Sequence, residues 1–277
     1  MTRTIRLGHS PDPDDAFMFY GLASGNVSLE GVRIEHILED IQSLNQRALR
    51  GDLEVTAISA HAYPYVADRY WVMRTGASMG VGYGPVMVSR HYRTVEDLRG
   101  KLVGTPGPLT TATLLFKLFT EEIDNIDLPF DYILDALNQD EIDAGVLIHE
   151  GQITYESHGL HKVLDFGERW NAETGGRPLP LGLDVVRIDL GKQDAGRLSS
   201  VLRKSIEYAF ANEEEAITHA LRYGRGIDRK LCAQFIKMYV NDLTLDMGGA
   251  GLESLEELYA RAYRKNLIRV KPPILLL

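Results

Sequence analysis

Short apolar strands alternate with amphipathic helices from the first residues of the chain. That rhythm selects an α/β fold built on mostly parallel strands joined by right-handed crossover helices. Ile5-Arg6-Leu7 reads as the first strand and runs into Ser10-Pro-Asp-Pro-Asp-Asp15. There Asp12 is placed to cap a helix and Pro13 suits its first position, so a helix is expected over Ala16 to Ser24, stopped at Gly25. Val32 to Leu38 alternates as a strand, and Ile41 to Arg50 follows as a helix ended by Gly51. Leu53 to Ile58 and Tyr70 to Arg74 complete this part as strands, before a loop holding Gly76, Gly80, Gly82 and Gly84.

A second unit of the same kind follows. Pro85 to Ser89 is strand-like, and Thr94-Val-Glu-Asp97 is a capping-box variant that opens a short helix. Further elements are expected as a strand over Lys101 to Thr105, a helix from Thr110-Thr111, an extended piece near Phe130, a helix over Leu134 to Gln139 and a strand over Ala144 to Ile148. Pro178-Leu-Pro-Leu-Gly182 leads into the strand Leu183 to Arg187, and after Gly191 only helices are expected. At 277 residues the chain exceeds one hydrophobic core. The expected division is a larger discontinuous α/β domain, 1–87 with 183–277, and a smaller inserted α/β domain, 88–182, joined by a double-crossover hinge.

Charge and composition exclude several functions. A formal net charge of -9 without any Lys/Arg cluster disfavours nucleic acid and anionic membranes as partners. Apolar runs fall far short of the ~20 residues a membrane span needs. Cys232 is the single cysteine, so no internal disulfide or multi-cysteine metal site can form, which suits a reducing compartment. With a strand beginning at Arg3, no secretion leader is expected, and the chain reads as cytoplasmic. Gly80-Val-Gly-Tyr-Gly84 precedes a strand, where a dinucleotide fingerprint must follow one. No His-x-x-x-His spacing and no serine nucleophile elbow is present.

Ligands of open α/β sheets bind beyond the carboxyl ends of strands, which directs attention to four places. Ser10 to Asp15 crowds three aspartates into a turn that caps a helix, faces a ligand, or both. Ser59 follows a strand, where its hydroxyl meets a ligand or caps the next helix. Thr110-Thr111, after Gly104-Thr-Pro-Gly-Pro-Leu109, offer hydroxyls and free N–H groups at a helix start, which serve as a plain cap or as an anion site. His149 ends an apolar strand, where an imidazole either packs or acts as a base near neutral pH. Adjacent Glu150 either orients it or faces solvent.

Taken together, Gly8-His-Ser-Pro-Asp-Pro-Asp-Asp-Ala-Phe-Met-Phe-Tyr20, Pro106-Gly107 with Thr110-Thr111, Gly145-Val-Leu-Ile-His-Glu150, Pro178-Leu-Pro-Leu-Gly182 and Tyr239-Val-Asn-Asp-Leu-Thr-Leu-Asp246 resemble the 1,4-dihydroxy-6-naphthoate synthase family of the futalosine route to menaquinone. The resemblance covers nearly the whole chain. It implies a fold like a type II periplasmic binding protein, and a cofactor-independent carbon-carbon lyase that splits cyclic dehypoxanthinylfutalosine into 1,4-dihydroxy-6-naphthoate and dihydroxyacetone. It further implies His149 as the proton acceptor, with Ala57, Ser59, Thr110 and Thr111 at the substrate, and no metal.

Two departures stand out: the family usually has Cys and Asn where Asp12 and Asp14 stand, and a lysine is common at Ala57. Both changes acidify the site, so an anionic substrate calls for a compensating Arg or Lys, and a related substrate is the alternative. The competing functions are a cytoplasmic solute-binding protein for a small anion and the chorismate dehydratase of the same pathway, with the chain as a monomer or homodimer.

Overall fold

The computed structural model describes residues 3–277 and resolves the expected alternation into two separate sheets. The chain starts with β1 (Arg3–His9), α1 (Pro13–Met18), α2 (Tyr20–Ala23), β2 (Val32–Leu38), α3 (Ile41–Arg50), β3 (Val55–Ser59), β4 (Tyr70–Val72) and β5 (Ser78–Gly80). It continues with β6 (Val86–Ser89), β7 (Leu102–Thr105), α4 (Thr111–Phe119), β8 (Asp124–Asp127), α5 (Ile133–Asn138), β9 (Ala144–Leu147), α6 (Gly151–Thr154), β10 (His161–Asp165) and α7 (Phe166–Thr174). After β11 (Leu179–Arg187) come α8 (Lys192–Ala211), α9 (Glu213–Ala220), α10 (Arg229–Tyr239), α11 (Asp242–Leu245) and α12 (Gly248–Arg264).

The first sheet has the order β2-β1-β3-β11-β4, with β5 also on β11. Its β1, β2 and β3 run parallel, and β11 is antiparallel to β3, β4 and β5. The second sheet has the order β10-β6-β9-β7-β8, in which β7, β8 and β9 run parallel. The chain crosses from the first sheet to the second after β5 and returns between β10 and β11. One apolar core spans both sheets, joining Ile58, Leu183 and Val185 of the first to Val103 and Val146 of the second and to Trp170 of α7. A second core packs Ile5, Leu7 and Phe17 against Leu198, Leu202 and Ile236 of the C-terminal helices.

Local chemistry explains most boundaries. The side chains of Asp12, Asp40, Thr110 and Asp228 cap α1, α3, α4 and α10, each such cap contributing about 1 kcal/mol. Gly51 ends α3 in the left-handed conformation at φ 72°. Four expectations are corrected. The helix expected over residues 16–24 starts earlier and breaks at Phe19, giving α1 and α2. The extended piece expected near Phe130 lies earlier, as β8. The reciprocal Thr94–Asp97 capping bonds form, but they open only a 3-10 turn. The elements α6, β10 and α7 were not expected at all, nor was β5, which runs through the expected glycine loop.

Candidate active site

A cavity of about 110 Å³ opens between the two sheets. The first sheet and its turns supply Ser10, Asp12, Asp14, Asp15, Ala57, Ser59 and Asp184 to its wall, and the second supplies Thr110, Thr111, Ala112, His149 and Gln152. Phe235 and Tyr239 of α10 close one side. Every site residue expected from the sequence therefore lines one cavity, although Ala57 and His149 lie 92 positions apart in the chain.

His149 sits just past β9 with φ 54°, the left-handed region that ordinary residues seldom adopt. This turn, rather than strand alternation, aims its imidazole. The ring Nδ1 meets Asp12 Oδ2 at 3.0 Å, with side-chain exposures of 13% and 2%. Its Nε2 is buried and has no hydrogen-bond partner. A carboxylate on Nδ1 holds the imidazole in the tautomer whose free Nε2 can take a proton. Asp12 does two things at once, because its Oδ1 accepts the Asp15 N–H at 3.2 Å and so caps α1. Burial opposes its ionisation, but attraction to His149 when its imidazole carries a proton, together with hydrogen bonds from His149, Asp14 and Ser10, holds the Asp12 carboxyl well below the usual range. Sequence reasoning recognised the cap and missed the pairing, which spans 137 positions.

At the start of α4 the threonine hydroxyls are already engaged. Thr110 Oγ1 donates to the Gly107 carbonyl at 2.9 Å and accepts the Thr113 N–H at 3.2 Å. Thr111 Oγ1 donates to Leu181 O at 2.7 Å and accepts the His61 N–H at 3.2 Å. The Thr111 and Ala112 backbone N–H groups have no acceptor among the described residues, and they present the positive end of the helix to the cavity. Ser59 caps no helix. Asn45 of α3 clamps it, with Nδ2 donating to Ser59 Oγ at 3.0 Å and Oδ1 accepting the Ser59 N–H at 2.8 Å. Asn45 is fully buried, and its lone position on an apolar helix face was the signal that could have flagged it.

Among the described residues no Lys or Arg lines the cavity, so the compensating cation expected from the sequence is not among them. Protonation takes its place. Burial, reinforced by the charge of Asp12, pushes the carboxyls of Asp14 and Asp15 well up, and burial alone pushes Asp184 to about 8. Four aspartates thus bring much less negative charge than their number suggests. Asp12, Asp14 and His149 do place possible metal-ligand atoms within 4.8 Å of one another, an arrangement that sequence spacing could not reveal. The Asp12–His149 hydrogen bond already satisfies one such atom on each of these residues with a proton.

A group that holds its proton to about 8 when folded, but loses it near the ordinary carboxyl range when unfolded, stabilises the fold only at low pH. Stability should therefore decline as pH rises from the ordinary carboxyl range toward about 8. Asp184→Asn should flatten that decline, which thermal melts at acidic and neutral pH will register.

Glu150 does not orient His149. It pairs instead with Arg225 at 3.0 Å, and Arg225 also donates to Pro11 O at 3.2 Å and stacks 4.7 Å from the centre of the Phe130 ring. Phe130 in turn meets the His149 ring edge-on at 4.9 Å. Arg225 thus bridges the turn after β1 and the loops of the second sheet directly beside the base.

The family model described as "Menaquinone biosynthesis" matches residues 5–264. A Thermus thermophilus protein named 1,4-dihydroxy-6-naphthoate synthase is 37% identical over 268 residues, covering 97% of each chain. A Streptomyces coelicolor protein of the same name is 33% identical over 276 residues, covering 98% of this chain and 96% of its own. Among solved structures, protein AF1704 of Archaeoglobus fulgidus superposes with a TM-score of 0.92 at 45% identity, covering 96% of this chain and 98% of its own. The alkanesulfonate-binding protein SsuA of Xanthomonas axonopodis superposes with a TM-score of 0.75 at 11% identity, covering 99% and 98%, and shows the periplasmic-binding-protein fold. With a full-length match to the family model and two full-length relatives above 30% identity, this chain belongs to the menaquinone biosynthesis family.

Proposed function

We propose that the protein is a 1,4-dihydroxy-6-naphthoate synthase, a lyase that cleaves cyclic dehypoxanthinylfutalosine into 1,4-dihydroxy-6-naphthoate and dihydroxyacetone. The observation that carries this reading is the Asp12–His149 pair with its unpartnered Nε2 at the cavity wall, supported by the two full-length relatives that bear the name. His149 takes the proton whose removal starts the cleavage, and Asp12 steadies the imidazolium that forms. The free N–H groups of Thr111 and Ala112 meet the substrate carboxylate, so the positive end of α4 does the work expected of an Arg or Lys. Ser59 and the Thr110 turn shape that end, and Ala57 leaves room that a longer side chain would fill.

The two sheets act as lobes, 1–87 with 183–277 and 88–182, that close on the substrate and exclude water. The substrate is anionic, and the enzyme works in the cytoplasm as a monomer or homodimer without added cofactor. Among the described residues no helix is long and apolar enough to cross a membrane. A solute-binding role would need the fold and the anion site but gives no task to a buried imidazole paired with aspartate. The test is incubation of purified protein with cyclic dehypoxanthinylfutalosine alone. Equimolar naphthoate and dihydroxyacetone are expected, and tight binding without products would favour the solute-binding role.

Arg225 provides a second check on lobe closure. The Arg225→Ala variant loses a half-buried ion pair and a cation–π contact worth about 1 kcal/mol together, so KM should rise about fivefold with kcat little changed. A fall in kcat alone would contradict the closure role.

A further inference from the structure

Among the described residues, Asp184 is a buried carboxyl without any side-chain partner. It is 1% exposed, and neither carboxyl oxygen has a hydrogen-bond partner. Buried polar groups in folded proteins are almost always paired, because an unpaired one forfeits its hydration for nothing. Yet the fold makes deliberate room for this one. Of its neighbours on β11, Val185 enters the apolar core and Leu183 belongs to both the core and the cavity wall, while Asp184 lines the cavity. Its cross-strand partner on β3 is the small Ala57. Below it Gly76 has φ 84°, and a Cβ there would lie 1.9 Å from Asp184 Oδ2. Any other residue at position 76 would displace the carboxyl.

With no Lys or Arg among the described residues of the cavity wall, this carboxyl keeps its proton at neutral pH and carries one O–H donor beside one acceptor oxygen. That combination matches an alcohol or a hydroxyketone on both oxygens, whereas a carboxylate would use the donor and be repelled by the acceptor. The opposite preference lies along the same strand. Leu181 O holds Thr111 at the start of α4, and Asp184 follows three residues later, about 10 Å along β11. One cavity thus has an anion-seeking end and a hydroxyl-seeking end.

We propose that Asp184 is a substrate-contacting residue, whose carboxyl binds the hydroxyl-bearing fragment that leaves as dihydroxyacetone while the start of α4 binds the carboxylate end. This assignment rests on the proposed lyase activity and sets the direction in which substrate lies in the cavity. It assigns Asp184 to recognition, leaving proton removal to His149.

Steady-state kinetics of wild type, Asp184→Asn and Asp184→Ala with cyclic dehypoxanthinylfutalosine test it, together with calorimetric binding of 1,4-dihydroxy-6-naphthoate, which lacks the hydroxyl-bearing fragment. Asp184→Ala should raise KM at least about tenfold, and Asp184→Asn, which keeps a donor and an acceptor, about threefold. Naphthoate affinity should stay within about twofold of wild type in both, since that end of the cavity is untouched. Both variants should melt at or above the wild-type temperature, because an unpaired buried carboxyl has been removed. A KM for Asp184→Ala within about twofold of wild type overturns the assignment while the lyase activity stands, as does naphthoate affinity falling in step with KM. A wild type that binds naphthoate but makes no product overturns the lyase activity and this assignment together.

Discussion

Replacing His149 with Asn is expected to lower kcat at least about a thousandfold, toward the upper range of what a positioned base contributes. The expectation follows from three features of the position. On the cavity wall, His149 has its Nδ1 held by a carboxylate and its Nε2 without a partner among the described residues. Asparagine tolerates the left-handed backbone at φ 54° better than most residues, so the turn past β9 should survive. Its amide can also donate to Asp12, which leaves the buried carboxylate paired. Folding and naphthoate binding should therefore persist while turnover fails, and rate measurements beside a binding isotherm will separate the two. Turnover within tenfold of wild type would remove His149 from the chemistry.

The second large effect is expected from Asp12→Asn, which should lower kcat about a hundredfold or more. Asparagine caps helices as well as aspartate does, so α1 keeps its start and the fold its stability. What changes is the partner of His149 Nδ1. An amide that donates to Nδ1 traps the imidazole with its proton on Nε2, where no proton can then be accepted. The loss should persist at any pH, because the wrong tautomer is not corrected by titration. Asp12→Ala should lose the same activity and also about 1 kcal/mol of stability with the cap. If Asp12→Asn keeps full activity, the carboxylate serves α1 alone.

Much of this arrangement was legible in the sequence because it depends on neighbours. The caps at Asp12, Asp40, Thr110 and Asp228 act within three residues, and the stop at Gly51 needs only its own φ. His149 could be placed at the cavity from the apolar run before it. The missed strand β10 is short, half exposed and bulged between Lys162 and Leu164, so it has no clean alternation. The following α7 did carry a signal, since Asp165 caps it through the Gly167 and Glu168 N–H groups. The Asp12–His149 pair and the space Gly76 leaves for Asp184 join distant segments, and no local pattern announces them, whereas the Asn45–Ser59 clamp was signalled only by a lone polar residue on an apolar helix face. The charge of the cavity was misjudged for the same reason. Counting aspartates ignores burial, and burial keeps protons on Asp14, Asp15 and Asp184.

The central claim is that the Asp12–His149 pair makes this cavity a lyase for cyclic dehypoxanthinylfutalosine. The most direct measurement is a parallel incubation of wild type and His149→Asn with that compound, following naphthoate by absorbance and both products by mass spectrometry. Naphthoate and dihydroxyacetone in equal amounts from the wild type, with neither from the variant, is the predicted result. Equal product from both proteins, or none from a wild type that binds the compound, would contradict it.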